Sequence, residues 1–390
     1  MNTAKNENTL AEDYRIQIIN SFDEASMYRQ IWNNLVLSSE NPNPFLIFEW
    51  FESWWQCFAS KDKTPYIIFI WKAQELIGIA PLMLVQIKKF GFKINKLEFL
   101  SMMKYAYSAL NLAGHLDFII RRDNHKIALE CILKHLKEKV KNWDYIRLHP
   151  ILSDSQTLKS LRDNKKYYKF DIYIRRVFFS TKIVFDSTWE NYLTKLDRDF
   201  VKKINRRENK LKKIGKFEIL NITRIDNIEK IYSIIVQIDK ASWKDKRGIS
   251  IYDKKYKNFF QALLRNLSNT DNIFIGLAQI DDKTIAYDII FKFAHVAIDL
   301  KTSYDSNYRN YGVGNIVSFY NIKKIYELGY KEFHLLWGNI KAKSVWKPEI
   351  EQYDEVFIFN NRLKSKFLNF LYHKLLLYRI FRFINYKLFN

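Results

Sequence analysis

The chain has 390 residues, of which 48% are hydrophobic and 16% aromatic. This composition is enough for buried cores and excludes a disordered chain, and the length predicts two or three domains. The formal net charge of +22 suits a nucleic acid, an anionic membrane surface or a phosphate-bearing substrate as partner. An AT-rich genome would also enrich Lys, Asn, Ile, Tyr and Phe together, so the charge indicates a partner only where it clusters.

Cysteine usage and the N-terminal segment predict the compartment. Cys57 and Cys131 lie far apart in helix-like segments and form neither a metal-binding spacing nor a disulfide framework. We therefore expect no metal and a reducing environment. Residues 1–14 lack the apolar core of a signal peptide, and no apolar run is as long as a membrane span. The sequence predicts a cytoplasmic protein, with peripheral attachment at the inner face of the plasma membrane left open.

The first half of the chain predicts an α/β unit. An aromatic helix comes first, because Trp50, Trp54 and Phe58 recur at i, i+4 and i+8 within residues 45–58. Strands at 66–71 and 76–87, a helix at 124–141 and a strand at 143–149 follow, and Pro150 marks the end of the last strand.

The second half repeats this order of elements after a strand at 176–185. Helices are predicted at 228–243, 254–267 and 315–328, and strands at 273–280, 285–300 and 331–337. Similarity at a spacing of roughly 200 residues indicates a duplicated domain rather than short repeats. We therefore predict an α/β fold (an α+β mixed sheet) with two tandem domains, a degenerate one at 1–175 and an active one at 176–361.

A glycine turn joins the strand at 285–300 to the helix at 315–328. It contains Arg309-x-x-Gly312-x-Gly314, which the first half lacks. Glycines let backbone N–H groups converge on an anion without interference from Cβ atoms. The helix adds its free N–H groups and the positive end of its dipole, and Arg309 adds a charge-assisted contact. The predicted pyrophosphate site consists of Arg309, Gly312, Val313, Gly314 and Asn315.

Two segments are strongly basic. Residues 189–214 read as one amphipathic helix, with apolar residues near one face and an excess of Lys and Arg elsewhere, Arg206 and Arg207 among them. Residues 362–390 mix aromatic and basic side chains and predict a C-terminal helix. Packing on the domain and lying in a membrane interface are both open for this helix.

Several short motifs occur in a fixed order along residues 45–359. They are Phe48-Glu49-Trp50-Phe51 with Trp54, Ile79-Ala80-Pro81-Leu82, the basic segment 205–211, Ala241-Ser242-Trp243-Lys244, Thr284-Ile285-Ala286, Tyr304-Asp305, and the segment 333–338 followed by Lys343. In this order and spacing they resemble the CelD-like acyltransferases, a branch of the GNAT superfamily. That branch, named after a cellulose-biosynthesis protein, is related to the Fem-type peptidoglycan aminoacyltransferases.

The resemblance implies a tandem GNAT-like fold whose second half holds the active site and uses an acyl-CoA. The chain departs from the family pattern in three places. His334 stands where the family usually has an acidic residue, and Ala342 replaces the tyrosine of a Tyr-Lys pair that ends here in Lys343. Gly314 is added after Gly312, which brings the turn closer to the general superfamily motif.

Acyl transfer to an amine needs a neutral amine, a polarised thioester carbonyl and a proton for the leaving thiolate. The resemblance implies that a backbone N–H polarises the carbonyl, so few side chains are obligatory. The catalytic candidates are Asp305, at the end of the strand before the turn, His334 and Lys343. The candidates for substrate binding are Trp243 and Lys244, at a helix end beside the expected acceptor cleft, together with Arg206 and Arg207.

Three functions stay open on the sequence. The leading one is an acyl-CoA-dependent N-acyltransferase, using acetyl-CoA or another acyl-CoA. Its acceptor would be an amino sugar or lipid-linked saccharide in envelope polysaccharide or cell-wall precursor biosynthesis. The second is a Fem-type transferase that takes aminoacyl-tRNA, which the basic segment and the net charge suit. The third is a non-catalytic accessory protein of polysaccharide biosynthesis or export.

Overall fold

One mixed sheet of thirteen strands runs through the part of the chain that the structure describes. The structure is a computed structural model and describes residues 14–89, 91–102, 114–140, 142–163, 170–254 and 256–373. The strands are β1 (Tyr14–Ile19), β2 (Lys63–Lys72), β3 (Glu75–Lys89), β4 (Phe92–Phe99), β5 (Ile119–Ile120), β6 (Tyr145–Leu152), β7 (Asp171–Val184), β8 (Phe217–Ile222), β9 (Ile273–Ile280), β10 (Lys283–Phe293), β11 (Val296–Tyr304), β12 (Glu332–Leu336) and β13 (Glu349–Phe359).

Helices connect the strands and cover the sheet. None of those in the described ranges is long and apolar enough to cross a membrane. They are α1 (Phe22–Ser26), α2 (Arg29–Ser38), α3 (Phe48–Phe58), α4 (His125–Glu138), α5 (Gln156–Asp163), α6 (Trp189–Lys195), α7 (Arg198–Lys212), α8 (Ile228–Ala241), α9 (Lys257–Leu267), α10 (Val313–Glu327), α11 (Ile340–Lys343) and α12 (Leu363–His373), with short 3-10 turns at Pro44–Leu46, Arg122–Asn124, Asp245–Arg247, Ser306–Tyr311 and Ser344–Trp346.

The strand order across the sheet has the same pattern from both ends. It runs β1-β2-β3-β4-β6-β13-β7-β12-β11-β10-β9-β8, with β5 paired to β3 beside this path. In each half, four antiparallel strands lead to one parallel pair, β4 with β6 and β11 with β12. The halves then exchange their closing strands, because β13 pairs with β6 and β7 pairs with β12. This matched order confirms the predicted mixed-sheet α/β fold, with the same order of strands in its two halves.

The two exchanged strands form the centre of the sheet. β7 and β13 are antiparallel to each other, from Asp171 opposite Phe359 to Lys182 opposite Glu349. The position between residues 175 and 176, where the sequence analysis divides the domains, lies inside β7. The division into separate domains therefore stays a prediction.

Aromatic packing joins the two halves. Trp50 of α3 is fully buried, and its ring centroid lies 4.7 Å from that of Phe45, 5.3 Å from Phe259 of α9 and 5.7 Å from Phe291 of β10. Trp54, one turn further along α3, is also buried. The predicted aromatic stripe is thus a core feature, and it faces the other half of the chain.

In the second half, the two faces of the sheet carry different helices. Along β11, Ile298 and Leu300 belong to the core that α8 and α9 share with the first half. Ala297 belongs instead to the core under α7 and α10. This alternation follows from the period of two along a strand. We call the two sides the α8 face and the α10 face.

Three predicted elements were wrong in their extent. The predicted helix at 189–214 is two helices, because Leu196 is extended and Asp197 caps α7 by accepting the backbone N–H of Asp199 at 2.8 Å. The predicted strand at 285–300 is a hairpin of β10 and β11 that turns at Ala294, with φ of 53°. Pro150 does not end its strand, since β6 continues to Leu152.

The predicted C-terminal helix at 362–390 is present as α12, and residues 374–390 lie outside the described residues. Leu368 is buried against Phe357 and Phe359 of β13. Phe367 and Phe370 are exposed. The helix therefore packs on the sheet and also presents aromatic side chains to solvent.

Candidate active site

β11 and β12 pair over only three residues and then separate. Residues 296–298 lie opposite residues 332–334, after which β11 runs on to Tyr304 and β12 ends at Leu336. Backbone groups that would otherwise pair the two strands are left along a wedge between them. We call this wedge the β11–β12 cleft.

A left-handed glycine begins the helix next to this cleft. Gly312 has φ of 62° and ψ of 36°, a conformation that favours glycine, and α10 starts directly after it. Val313 is buried and Asn315 is exposed. A Cβ atom added at Gly314 would lie 3.1 Å from the ring of Tyr304. The first turn of a helix offers unpaired N–H groups to an anion, so the turn has the geometry expected of a phosphate site.

Arg207 of α7 lies against this turn. A Cβ atom added at Gly312 would be 2.3 Å from its Nη1 atom and 2.9 Å from its Cζ atom. Arg206 and Arg309 are exposed, and Arg207 is half-buried. Within the described ranges, none of these three guanidinium groups has an acidic partner. The structure therefore brings Arg207, a candidate for binding the acceptor, to the predicted cofactor turn.

Asp305 ends β11 and is occupied by structural contacts. Its Oδ1 atom accepts the backbone N–H of Asn307 at 3.0 Å, and its Oδ2 atom lies 3.2 Å from the amine of Lys283. The side chain is 6% exposed. These contacts make it the cap of the 3-10 turn that leads to Gly312, while its predicted role as a base stays a prediction.

Trp243 and Lys244 lie on the α8 face, opposite the side covered by α7 and α10. The Trp243 side chain is 40% exposed, and the guanidinium of Arg247 lies 4.9 Å from its ring centroid. Lys244 donates to the backbone carbonyl of Thr302 on β11. Burial lowers the pKa of Lys244. The four predicted substrate residues are therefore divided between two faces.

Sequence reasoning missed a buried polar network behind β11. The carboxylate of Asp239 accepts the hydroxyl of Tyr287 at 2.8 Å, and Asp288 accepts the amide of Asn321 at 3.2 Å. Burial is the main reason that the pKa of Asp288 is raised, and the negative charge of the neighbouring Asp299 carboxylate raises it further. The signal in the sequence was an acidic residue inside the apolar run of β10. These two polar pairs tie β10 to α8 on one face of the sheet and to α10 on the other.

Burial also lowers the pKa of a lysine in the same region, Lys301. The pKa falls to about 7, and the charge of Lys244 contributes in the same direction. The Lys301 amine donates to the carbonyl of Ile249 at 2.6 Å.

His334 of β12 stands in a second buried cluster, on the α8 face where β12, β7 and β13 meet. Its Nε2 atom lies 2.8 Å from Glu332, and its Nδ1 atom lies 3.3 Å from Glu351. Lys182 of β7 bridges the two carboxylates at 3.1 and 3.2 Å. The His115 ring, from the first half, is 4.9 Å from that of His334. Glu332 and His334 share one face of the strand, as the alternation predicts.

This cluster needs a positive charge between His334 and Glu351, because a lone pair of Nδ1 would otherwise face a carboxylate. Burial opposes protonation of His334, but its hydrogen bonds to the two carboxylates prevail and raise its pKa. Burial likewise opposes ionisation of Glu332, yet the bond to His334 lowers the pKa of Glu332 to about 2. Ligand atoms of His115, His334 and Glu351 lie within 4.8 Å of one another, close enough to hold a metal ion. A proton on His334 balances the charges of the cluster better than a metal ion would. The ammonium of Lys182 and the imidazolium of His334 then match the two carboxylates in charge.

Lys343, the third catalytic candidate, lies at the end of β12. Its amine donates to the backbone carbonyls of Leu335, Leu336 and Trp337. Burial lowers the pKa of Lys343 to about 8, while the negative charge of Asp299 on β11 opposes this shift. The amine is therefore bound to the β12 edge of the cleft.

Comparison with known proteins agrees with this geometry. Residues 198–347 match the family model described as an acetyltransferase (GNAT) domain, a stretch that contains the glycine turn and the cleft. No curated protein matches the chain. The matched domain and the fold support an acyltransferase of the GNAT type.

Solved structures with similar folds include three that cover most of the chain. FemX matches with a TM-score of 0.60 at 13% identity, over 87% of this chain and 96% of that one. A protein of unknown function from Bacteroides thetaiotaomicron matches with a TM-score of 0.53 at 13% identity, over 89% and 100%. A domain assigned as the C-terminal part of a lysylphosphatidylglycerol synthetase from Agrobacterium fabrum matches with a TM-score of 0.50 at 9% identity, over 89% and 95%. At these identities the likeness shows the fold alone.

Proposed function

We propose that this protein is an acyl-CoA-dependent N-acyltransferase that binds its acyl donor in the β11–β12 cleft. The observation that carries the proposal is that the cleft opens beside the glycine turn at the start of α10. The helix N–H groups and Arg207 favour an anion at this turn. A pyrophosphate bound there leaves the extended remainder of acetyl-CoA or another acyl-CoA to follow the edge of β11.

The transfer needs little from side chains. The acceptor amine attacks the thioester carbonyl, the C–S bond breaks, and the proton lost by the amine passes to the thiolate of CoA. A backbone N–H on the open edge of β11 is the proposed donor to the developing oxyanion. All three predicted catalytic residues already have partners: Asp305 and Lys343 are hydrogen-bonded, and His334 lies between two carboxylates that favour its protonated form.

We propose an amine on an amino sugar or lipid-linked saccharide of the cell envelope as the acceptor, in keeping with the CelD-like subtype. It would approach from the α8 face, where Trp243 offers an exposed ring and Lys244 reaches the β11 edge. Exposed aromatic rings combine a large apolar area with polar neighbours. The same proposal assigns the exposed Phe367 and Phe370 of α12 to an anionic membrane surface.

The donor is tested by calorimetric titration of the whole chain with CoA and acetyl-CoA. Release of free thiol in the presence of a panel of amino sugars and lipid-linked saccharides then tests the acceptor. We expect CoA binding that weakens with salt, and thiol release that depends on the acceptor. A chain that binds neither CoA nor acetyl-CoA would refute the acyl-CoA proposal.

Flotation with anionic liposomes tests whether the protein binds an anionic membrane surface, with neutral liposomes as the control.

A second candidate is a Fem-type transferase that uses aminoacyl-tRNA. The observation in its favour is the basic surface of α7, which includes the exposed Arg206 beside the glycine turn. Phosphate contacts by Lys and Arg dominate the affinity for nucleic acids. Competition between charged tRNA and CoA for the protein separates the two candidates. Tight tRNA binding without CoA binding would favour the Fem-type activity.

A further inference from the structure

The end of β12 has an unusual backbone. Leu336 has a positive φ of 59°, and Gly338, two residues later, has a φ of 125°. A branched side chain at such a φ is an outlier that the surrounding structure must enforce. Leu335 and Leu336 are both buried, so their backbone carbonyls need a hydrogen-bond donor.

One amine reaches three successive carbonyls, and the hydroxyl of Thr181 also donates to one of them, that of Leu336, at 3.3 Å. The Nζ atom of Lys343 lies 2.5 Å from the carbonyl oxygen of Leu335, 3.0 Å from that of Leu336 and 2.7 Å from that of Trp337. A lysine ammonium has three N–H donors and no acceptor, so these carbonyls account for all three. A Cβ atom added at Gly338 would lie 3.6 Å from this amine. Giving up a proton would deprive one of these carbonyls of the lysine donor, which makes Lys343 a poor proton donor.

The opposite edge of the cleft has a similar arrangement. On β11, the carbonyl of Thr302 accepts the amine of Lys244. Both lysines come from segments outside the two strands and bind carbonyls at the place where β11 and β12 diverge. If the lysine amines were absent, these carbonyls would need other hydrogen-bond donors. The donors at hand are the backbone N–H groups of the facing strand, which would pair the strands further, and water that enters the cleft.

We propose that Lys343 is a positioning residue that holds the end of β12 away from β11 and thereby keeps the cleft open for the acyl donor. This inference rests on the proposed function, in which the cleft receives an acyl-CoA. It assigns Lys343 an effect on donor binding through the backbone of β12. A direct role in proton transfer is the competing assignment.

The test compares Lys343→Met and Lys343→Arg with Lys341→Met, a matched control on the same short helix whose exposed side chain binds none of these carbonyls. Hydrogen–deuterium exchange of peptides covering residues 335–347 reports on the strand end directly. We expect exchange there to become about tenfold faster in Lys343→Met and CoA binding to weaken by about tenfold. Lys341→Met should match the wild type in both measurements, and Lys343→Arg, which keeps several donors, should lie between.

The pH profile of thioester cleavage separates the two roles. If Lys343 positions the strand, the remaining activity of Lys343→Met keeps the pH dependence of the wild type while its KM for acyl-CoA rises. Unchanged exchange and unchanged CoA binding, together with loss of the alkaline limb of the profile, would overturn the inference in favour of proton transfer. If the wild type does not bind CoA, the proposed function fails, and the exchange measurement still decides whether Lys343 holds the strand end.

Discussion

Replacing Gly312 by alanine tests whether the left-handed turn and Arg207 form one anion site. Gly312 has φ of 62°, so alanine there incurs the backbone cost of a left-handed residue, about 1–2 kcal/mol. The added Cβ atom would also lie 2.3 Å from Nη1 of Arg207. Because nonbonded atoms prefer a separation of about 3.5 Å, the guanidinium must move by roughly 1 Å. This movement is easy for a long side chain, so it should affect binding more than folding.

Gly329 is a matched control at the other end of the same helix. It has φ of 86°, and no atom lies within 4 Å of the Cβ atom that alanine would add. Gly329→Ala therefore has a comparable backbone cost without displacing a side chain. We expect both variants to lose about 1–2 kcal/mol in the free energy of unfolding, measured by urea denaturation.

CoA binding should separate the two variants. Loss of a charge-assisted contact is worth about 1.5–3 kcal/mol, which corresponds to a Kd about ten to a hundred times higher in Gly312→Ala. Gly329→Ala should bind CoA as the wild type does. Equal CoA affinity in the wild type and both variants, with the expected loss of stability in both, would show that the turn and Arg207 do not form the phosphate site.

Further predictions concern an arginine pair, a histidine and two tryptophans. Arg207→Ala should weaken CoA binding in titration calorimetry by about 1.5–3 kcal/mol. Arg206 is exposed, so Arg206→Ala should change CoA binding by less than about 1 kcal/mol. Equal effects of the two substitutions on CoA binding would contradict a role for the contact between Arg207 and Gly312. The raised pKa of His334 stabilises the fold fully below the unfolded pKa of about 6.5, and this contribution is lost as pH rises through the folded pKa. The stability difference between the wild type and His334→Gln should thus fall with pH by at most about 1.4 kcal/mol per unit; a difference that instead grows with pH and disappears with EDTA would indicate a bound metal. Trp50→Ala should lower the free energy of unfolding by about 3–5 kcal/mol in urea denaturation, and Trp243→Ala by less than about 1 kcal/mol because its side chain is 40% exposed.

Periodicity predicted the repeated elements well, because it reports which side chains are buried. Strand β9 has the predicted bounds of Ile273–Ile280, and the glycine turn does precede a helix. The errors occur where a local backbone feature interrupts an apolar pattern. A hydrogen bond from Asp199 to Asp197 divides the basic helix, and the left-handed Ala294 turns one long apolar run into a hairpin.

The partners of the site residues could not be predicted, because they come from distant parts of the chain. His334 was recognised as a strand residue, but its pairing with Lys182 across β7 and its contact with Glu351 of β13 depend on the exchange of these two strands. Arg207 was recognised as a cation, and only the packing of α7 on the turn places it at Gly312. Sequence spacing shows which residues share a face, whereas strand order determines which faces meet.

The exchange of closing strands shows that the matched acetyltransferase domain lacks some of the strands beside its own cleft. The matched acetyltransferase domain spans residues 198–347 and contains both edges of the β11–β12 cleft. It contains neither β7 nor β13, although β7 pairs with β12 along the side away from the cleft. Without β7, the edge of β12 that faces away from the cleft would be unpaired, and unpaired edges seek new partners. Lys182 of β7 and Glu351 of β13 would also be missing from the His334 cluster. β7 and His115, which precede the matched domain in the chain, therefore complete the surroundings of β12.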